Sequence, residues 1–316
     1  MAMNRVQFQA GLSMAEFQRR YGTEVQCAAA LEKMRWPNGY RCPDCGSPSH
    51  TVFERSGRKY WQCSDCRDQT TVIAGTILQA TKLSLTLWFL AMHLLTQAKN
   101  NVSALELKRH LGVCYRTAWL VKHKLLQVMA IGEADRVLQG QVEIDDAYLG
   151  GERSGKRGRG SENKVSFVIA VETSVEGHPL FMKATPLPFT QEALAAWAER
   201  SLSASASVVS DGLSGFRGLQ GHVACHHRII VGSGRQAVQH PEFRWVNTVL
   251  GNLKTAIQGT YHAFDFRKYA ARYLAEVQYR FNRRFDLRAI LGQLVEAAAS
   301  TLPHPERKIR LAEVHR

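Results

Sequence analysis

The stretch VEIDDAYL, residues 142–149, alternates apolar and acidic positions with the two-residue period of a strand. Alternation puts Glu143 and Asp145 on one face and Val142 and Ile144 on the other, toward a core. A carboxylate held mid-strand in an apolar setting is costly unless it is paired or bound to a metal. Working outward, VSFVIAVE, PLFMKATPL, SVVSDG and HRIIVG are further short β-branched runs, and 190–203 (TQEALAAWAERSLS) reads as a helix among them. After Pro241 helical patterns return over 246–258, 267–284 and 289–300. Strands mixed with helices predict an α/β core.

SVVSDG ends a strand in Asp211-Gly212. If its strand neighbours that of Asp145, the two acids converge at one sheet edge. Carboxylates so placed suit Mg²⁺ or Mn²⁺, hard cations that prefer oxygen ligands. The other reading of Asp211 is a turn aspartate before a glycine. On the next helix Asn247 and Lys254 are seven residues apart, two turns along one face. The amide could ligate a cation and the lysine could hold a phosphate; the plainer reading is a polar helix cap and a solvated lysine. Glu242 is the competing third ligand, ranked lower because it follows Pro241 and precedes the helix.

The front of the chain has a different character. Residues 12–34 carry apolar positions at helical spacing, and WPNGY at 36–40 breaks the pattern. Four of the seven cysteines form two C-x-x-C pairs, Cys42 with Cys45 and Cys63 with Cys66. Two such knuckles at this separation fit a four-thiolate zinc ribbon, in which tetrahedral Zn²⁺ stabilises a segment too small for its own core. Cys27, Cys114 and Cys225 have no partners at ligand spacing and read as packing residues. An apolar helix follows over 83–98. Residues 103–126, SALELKRHLGVCYRTAWLVKHKLL, read as two helices around a turn at Gly112. The second displays Arg116, Lys122, His123 and Lys124, as a helix lying in the major groove would. Two packed helices with a solvated basic face remain the alternative.

Lys and Arg total 41 against 27 acids, a formal charge of +14, which points to a polyanionic partner, nucleic acid first. No apolar run is long enough to span a membrane, and the first residues lack a signal peptide's apolar middle. The expected setting is cytoplasmic and nucleoid-associated, with no membrane partner. Reducing conditions there favour metal ligation over disulfides.

In order, the zinc ribbon, the helix pair, VEIDDAYLGG, the basic loop ERSGKRGRG, VSDG and GNLKTAIQGTYH with YRFNRR resemble insertion-sequence transposases. The group in question carries an N-terminal zinc ribbon and an ISXO2-like catalytic domain of DDE type. The likeness runs over about residues 20–300. It implies an RNase H-like α/β core binding two metal ions, preceded by a small zinc ribbon and a helical helix-turn-helix domain. Asp145 would be the first acid and Asp211 the second, with the third place falling on Asn247 and Lys254 following. The implied reaction is phosphoryl transfer at double-stranded DNA: cleavage at the element's terminal repeats, then joining to target DNA, by a homo-oligomer. Arg153, Lys156, Arg157 and Arg159 in the Gly-rich loop, and Arg283 and Arg284 in the last helices, could follow phosphates; the alternatives are a disordered solvated loop and a plain basic face. The expected layout is a helical segment to residue 35, a ribbon over 36–80 and a helix-turn-helix region over 81–135. The catalytic domain follows over 136–302, then a basic tail from 303 to 316. The competing readings are a non-catalytic DNA-binding regulator, which leaves the strand-borne acids unexplained, and a nuclease without strand transfer.

Overall fold

The computed structural model describes residues 6, 8–150, 164–230, 240–261 and 264–311. They divide into two compact units, Met1–Val128 with Phe285–Arg310, and Met129–Arg284 with Leu311–Arg316. The expected catalytic span of 136–302 therefore draws on both.

In the first unit the periodic stretch 12–34 is two helices, α1 (Met14–Tyr21) and α2 (Glu24–Arg35). The break has a local cause. Thr23 and Gln26 form a capping box that starts a new helix immediately after Gly22. The ribbon follows as a three-stranded antiparallel sheet of β1 (His50–Arg55), β2 (Arg58–Cys63) and β3 (Gln69–Thr70). Helix α3 (Leu85–Gln97) is the expected apolar core helix, and its N-terminus is capped from outside: Glu24 accepts hydrogen bonds from the Leu85 and Thr86 amides at 2.9 and 3.2 Å. Then come α4 (Ala104–Leu111), ended by Gly112 at φ +65°, and α5 (Tyr115–Ala134). A positive φ at this C-terminal position is where glycine is favoured.

The second unit is a five-stranded sheet of β4 (Gln141–Leu149), β5 (Val165–Thr173), β6 (Pro179–Pro186), β7 (Ser207–Asp211) and β8 (Cys225–Ile229), with α6 (Gln191–Ser201) crossing between β6 and β7. The spatial order is β6-β5-β4-β7-β8. β5 is antiparallel to both neighbours, whereas β4, β7 and β8 run parallel. Both faces are covered. One buries Ala147, Leu149, Phe167, Ile169, Val171 and Met182 beneath α7 (Arg244–Thr260) and α8 (Phe266–Asn282). The other buries Val142, Ile144, Val168, Ala170 and Val208 beneath Leu194, Trp197 and Ala198 of α6.

Among the described residues no strand lies beside the outer margin of β6. The side chains of α8 take that place: Asn282 exchanges hydrogen bonds with Met182 N and O at 2.8 and 3.0 Å, and Gln278 accepts from Ala184 N at 3.0 Å. The same Asn282 and Gln278 also donate to Glu133 near the end of α5, at 2.6 and 3.3 Å.

Two helices close the described chain, α9 (Ile290–Ser300), packed on α2 and α3, and α10 (Glu306–Leu311). The expected basic tail thus includes a helix, seated by the buried Ile309.

Candidate functional site

Parallel pairing of β4 with β7 runs from Gln141↔Ser207 to Ile144↔Ser210 and stops there. β4 continues as Asp145 and Asp146, and β7 as Asp211. The three acids therefore gather where the β4–β7 pairing ends, Asp145 and Asp146 in the middle of β4 and Asp211 at the carboxyl end of β7. One oxygen from each of Asp145, Asp146 and Asp211 lies within 4.8 Å of the others, and all three residues are half-buried. Burial first, then the charges of Asp146 and Asp211, push the Asp145 carboxyl up to about 7, against the Asp146 amide and the ammonium of Lys254. The Asp145 oxygen accepts from Asp146 N at 2.8 Å, and Asp211 accepts from Leu213 N at 3.0 Å, which fixes the start of the turn after β7.

This geometry fits a hard divalent cation. Ligand oxygens on one octahedral ion at about 2.1 Å lie ~3 Å apart when adjacent and ~4.2 Å apart when opposite. Three crowded carboxylates with one lysine nearby also make a charge set that a cation would relieve. Asp146 had no assigned role in the sequence reading. Strand alternation put it on the face away from Asp145, but the doublet sits where β4 outruns its partner, and both side chains reach the same opening.

The helix expected to carry the third ligand is α7. Its residues Val246, Val249, Leu250, Leu253 and Ile257 are buried, and the half-buried Asn247 and exposed Lys254 border that stripe. Lys254 is near enough to act electrostatically on Asp145. Glu242 is exposed, in a short 3-10 turn ahead of α7. The position of α7 is set by Glu143, whose carboxylate accepts from the Trp245 and Val246 amides, both at 2.8 Å. Burial raises the Glu143 carboxyl, while those two N–H groups and Arg244 lower it. Glu143 thus shares a strand face with Asp145 but serves as a helix anchor.

In the ribbon, the sulfurs of Cys42 and Cys66 are 3.5 Å apart, as are those of Cys45 and Cys63, and all four lie within 4.8 Å of one another. A tetrahedral ion with Zn–S bonds of about 2.3 Å sets sulfurs ~3.8 Å apart, so the cluster fits zinc. Each pair is made by one tight turn. Gly46 N donates to Cys42 O at 2.9 Å and Arg67 N to Cys63 O at 3.2 Å, with Gly46 at φ +75° and Arg67 at φ +65°. The Cys45 and Asp44 amides aimed at the Cys42 sulfur help lower that thiol to about 7. Tyr40 and Trp61 pack with Cys42 and Cys63 into a small buried cluster flanked by Trp36.

Of the basic residues expected to meet DNA, Arg116 is exposed near the start of α5. Lys122 and Lys124 correct the expectation of an exposed basic face. Both are buried, and their ammonium groups donate to backbone carbonyls, Lys122 to Val102 and Lys124 to Ile77 at 2.8 Å. α5 is packed nearly all round over 118–129, and long lysine stems carry charge through that packing to loop carbonyls. Arg283 and Arg284 are corrected likewise. Arg283 pairs with Glu133 and lies over the Tyr279 ring, while Arg284 donates to Phe281 O at 2.7 Å and Leu180 O at 2.9 Å, and burial lowers its pKa to about 10. The motif YRFNRR is therefore largely a clamp on β6 and the end of α5. Arg153, Lys156, Arg157 and Arg159 lie outside the described residues. Among the described residues no helix is long and apolar enough to cross a membrane.

Comparison with known proteins agrees with this geometry. A family profile described as a transposase zinc-ribbon domain matches residues 22–69, and one described as an ISXO2-like transposase domain matches residues 137–282. A protein described as an uncharacterized protein in transposable element ISH50 of Halobacterium salinarum is 29% identical over 189 residues. That match covers 52% of this chain and 61% of the relative's length. The chain thus carries, in order, a region similar to a transposase zinc-ribbon domain and a region similar to an ISXO2-like transposase domain.

Proposed function

We propose that this protein cuts the ends of an insertion sequence and joins them to target DNA by metal-dependent phosphoryl transfer on an RNase H-like core. The observation that carries the reading is the gathering of Asp145, Asp146 and Asp211 where the parallel pairing of β4 with β7 ends. The antiparallel meander β4–β6, the helical crossover and the two added parallel strands support the RNase H-like assignment.

Asp145 and Asp211 would hold Mg²⁺ or Mn²⁺, with Asp146 beside them and Asn247 as the third ligand from α7. Such an ion, when bound, neutralises phosphate charge and activates an attacking oxygen. The chain's own part is placement. Glu143 fixes α7 against the acid-bearing strand. Lys254, on the exposed border of α7, would hold a DNA phosphate. The four ribbon cysteines would hold one structural Zn²⁺. Helices α4 and α5, with the Gly112 turn, would form a helix-turn-helix that enters the major groove of the terminal repeats, in a homo-oligomer assembled on DNA.

The test is incubation of the full-length protein with Mg²⁺ or Mn²⁺, duplexes carrying the element's ends and a plasmid target, scoring nicks and joined strands separately. Both products are expected. Nicks without joined strands would reduce the protein to a nuclease, and binding without either would make it a regulator.

A further inference from the structure

Helix α10 carries Glu306, Arg307, Lys308 and Arg310 in six residues, yet it is docked. Ile309 is fully buried, and the Arg310 guanidinium lies 4.6 Å from the centroid of the Trp119 ring on α5. Glu306 accepts from Arg116 Nε at 3.1 Å, from Arg116 Nη2 at 2.9 Å and from Arg310 Nε at 2.8 Å. Arg116 is in the first turn of α5, the part of a groove-entering helix that reaches base edges.

The manner of this pairing matters. A guanidinium offers five N–H donors in a planar fork. Glu306 occupies the Nε/Nη2 edge, leaving the Nη1/Nη2 edge to take a second bidentate partner. The Arg116 side chain is 73% exposed even while paired, so Glu306 supports it without covering it. A carboxylate fixed beside the arginine also disfavours an anionic phosphate as the second partner. It leaves in favour the neutral acceptor pair O6 and N7 of guanine, which matches the free edge. Hydrogen bonds from Arg116 and Arg310 hold the Glu306 carboxyl down to about 2, so the support is ionised at any working pH.

Resting on the helix-turn-helix reading above, we propose that Glu306 is a positioning residue that fixes Arg116 to read a guanine in the major groove. The C-terminal helix then sets part of the sequence preference of α5. This goes beyond a basic surface that merely attracts DNA. It separates the arginine that reads sequence from those that contact phosphate, and traces the difference to an acid about 190 residues away in the chain.

The experiment is selection of bound duplexes from a library with a randomised core, with full-length wild type, Glu306→Gln, Arg116→Ala and the double variant. Wild type should enrich a motif in which one guanine is preferred about 5- to 150-fold, the range of one bidentate base contact. Glu306→Gln should lose most of that preference at that position alone, keep the rest of the motif, and bind unselected duplexes no more weakly than wild type. Arg116→Ala and the double variant should share one motif, because the acid acts through the arginine. Glu306→Asp, which keeps the charge and shortens the reach, should give the same narrowed loss and guards against a misfolded Gln variant. An unchanged motif in either Glu306 variant overturns the proposal. So does an equal gain in affinity for every duplex, which would make Glu306 a mask. If wild type itself enriches no motif, the helix-turn-helix reading falls, and the proposal with it.

Discussion

In the zinc ribbon four sulfurs meet within 4.8 Å, carried by two tight turns and a hairpin whose buried cluster is Tyr40, Cys42, Trp61 and Cys63. In the five-stranded sheet three carboxylates also meet within 4.8 Å of one another, on strands packed with apolar side chains on both faces. In the first case two of the four core residues are candidate ligands, so the fold would lean on a bound ion. In the second the hydrophobic layers form the frame and the acids are an added burden, which the raised Asp145 carboxyl records. The two clusters thus differ in which way support would flow between ligand and fold if each held a metal.

Stripping the metal is the strongest attempt to break this contrast. Zinc removal by a chelator, or Cys42→Ser, should unfold the ribbon while the sheet stays folded, since structural zinc in small domains is worth on the order of 10 kcal/mol. Hydrogen exchange resolved by peptide is the measurement, with elemental analysis beside it. A ribbon that keeps its protection without zinc would erase the distinction.

The opposite experiment removes an acid. Asp145→Ala or Asp211→Ala should reduce cleavage and joining by roughly a thousandfold or more, with no loss of fold or DNA binding. Either single change should cost nearly as much as both together. Full activity in one variant takes that residue out of the site. A milder effect is expected on α7. Asn247→Ala should lower activity and shift its dependence to higher Mg²⁺ or Mn²⁺, whereas Lys254→Ala should weaken DNA positioning and leave metal dependence alone. Identical metal titrations for wild type and Asn247→Ala would leave the third place to another group.

Glu143 sharpens the comparison further, because it is a carboxylate on the acid-bearing strand with a purely structural partner. Glu143→Ala removes the two bonds to the Trp245 and Val246 amides and should destabilise the sheet unit by about 1–2 kcal/mol. Chemical denaturation read from α7 would check it; wild-type stability would mean the anchor is replaceable. The smallest expected effect compares the ribbon's two turns. Gly46 and Arg67 hold equivalent places at positive φ, but only glycine is at ease there. Arg67→Gly should therefore stabilise the zinc-bound ribbon by up to about 1 kcal/mol, and Gly46→Arg should weaken it by a like amount. A melting shift of the opposite sign in either variant would show that the turns are not equivalent.

What the sequence made legible followed from local rules. C-x-x-C spacing marks a ribbon because both ligands of each pair sit in one turn. The strand period put Asp145 beside Glu143, and the Asp-Gly at the end of SVVSDG marked Asp211. The rest depended on neighbours that no local pattern names. Asp146 joins the cluster because β7 ends one residue earlier in register than β4 needs. Lys122 and Lys124 look like a solvated face until the carbonyls of Val102 and Ile77 are found at the ends of their stems. Arg283 and Arg284 look basic and free until Glu133 and the backbone at Leu180 are seen beside them. A positive charge in sequence gives no sign of whether its partner is a phosphate or a buried carbonyl.

The amides of Gln278 and Asn282 along β6 have a consequence for how such a protein survives at high concentration. An unpaired strand margin is a template on which a second chain can add its own backbone, and repetition of that step builds fibrils. On this side of the sheet part of the template is taken, with Met182 N and O and Ala184 N committed to side chains of the same unit. A second strand adding at this margin would first have to displace those side-chain bonds.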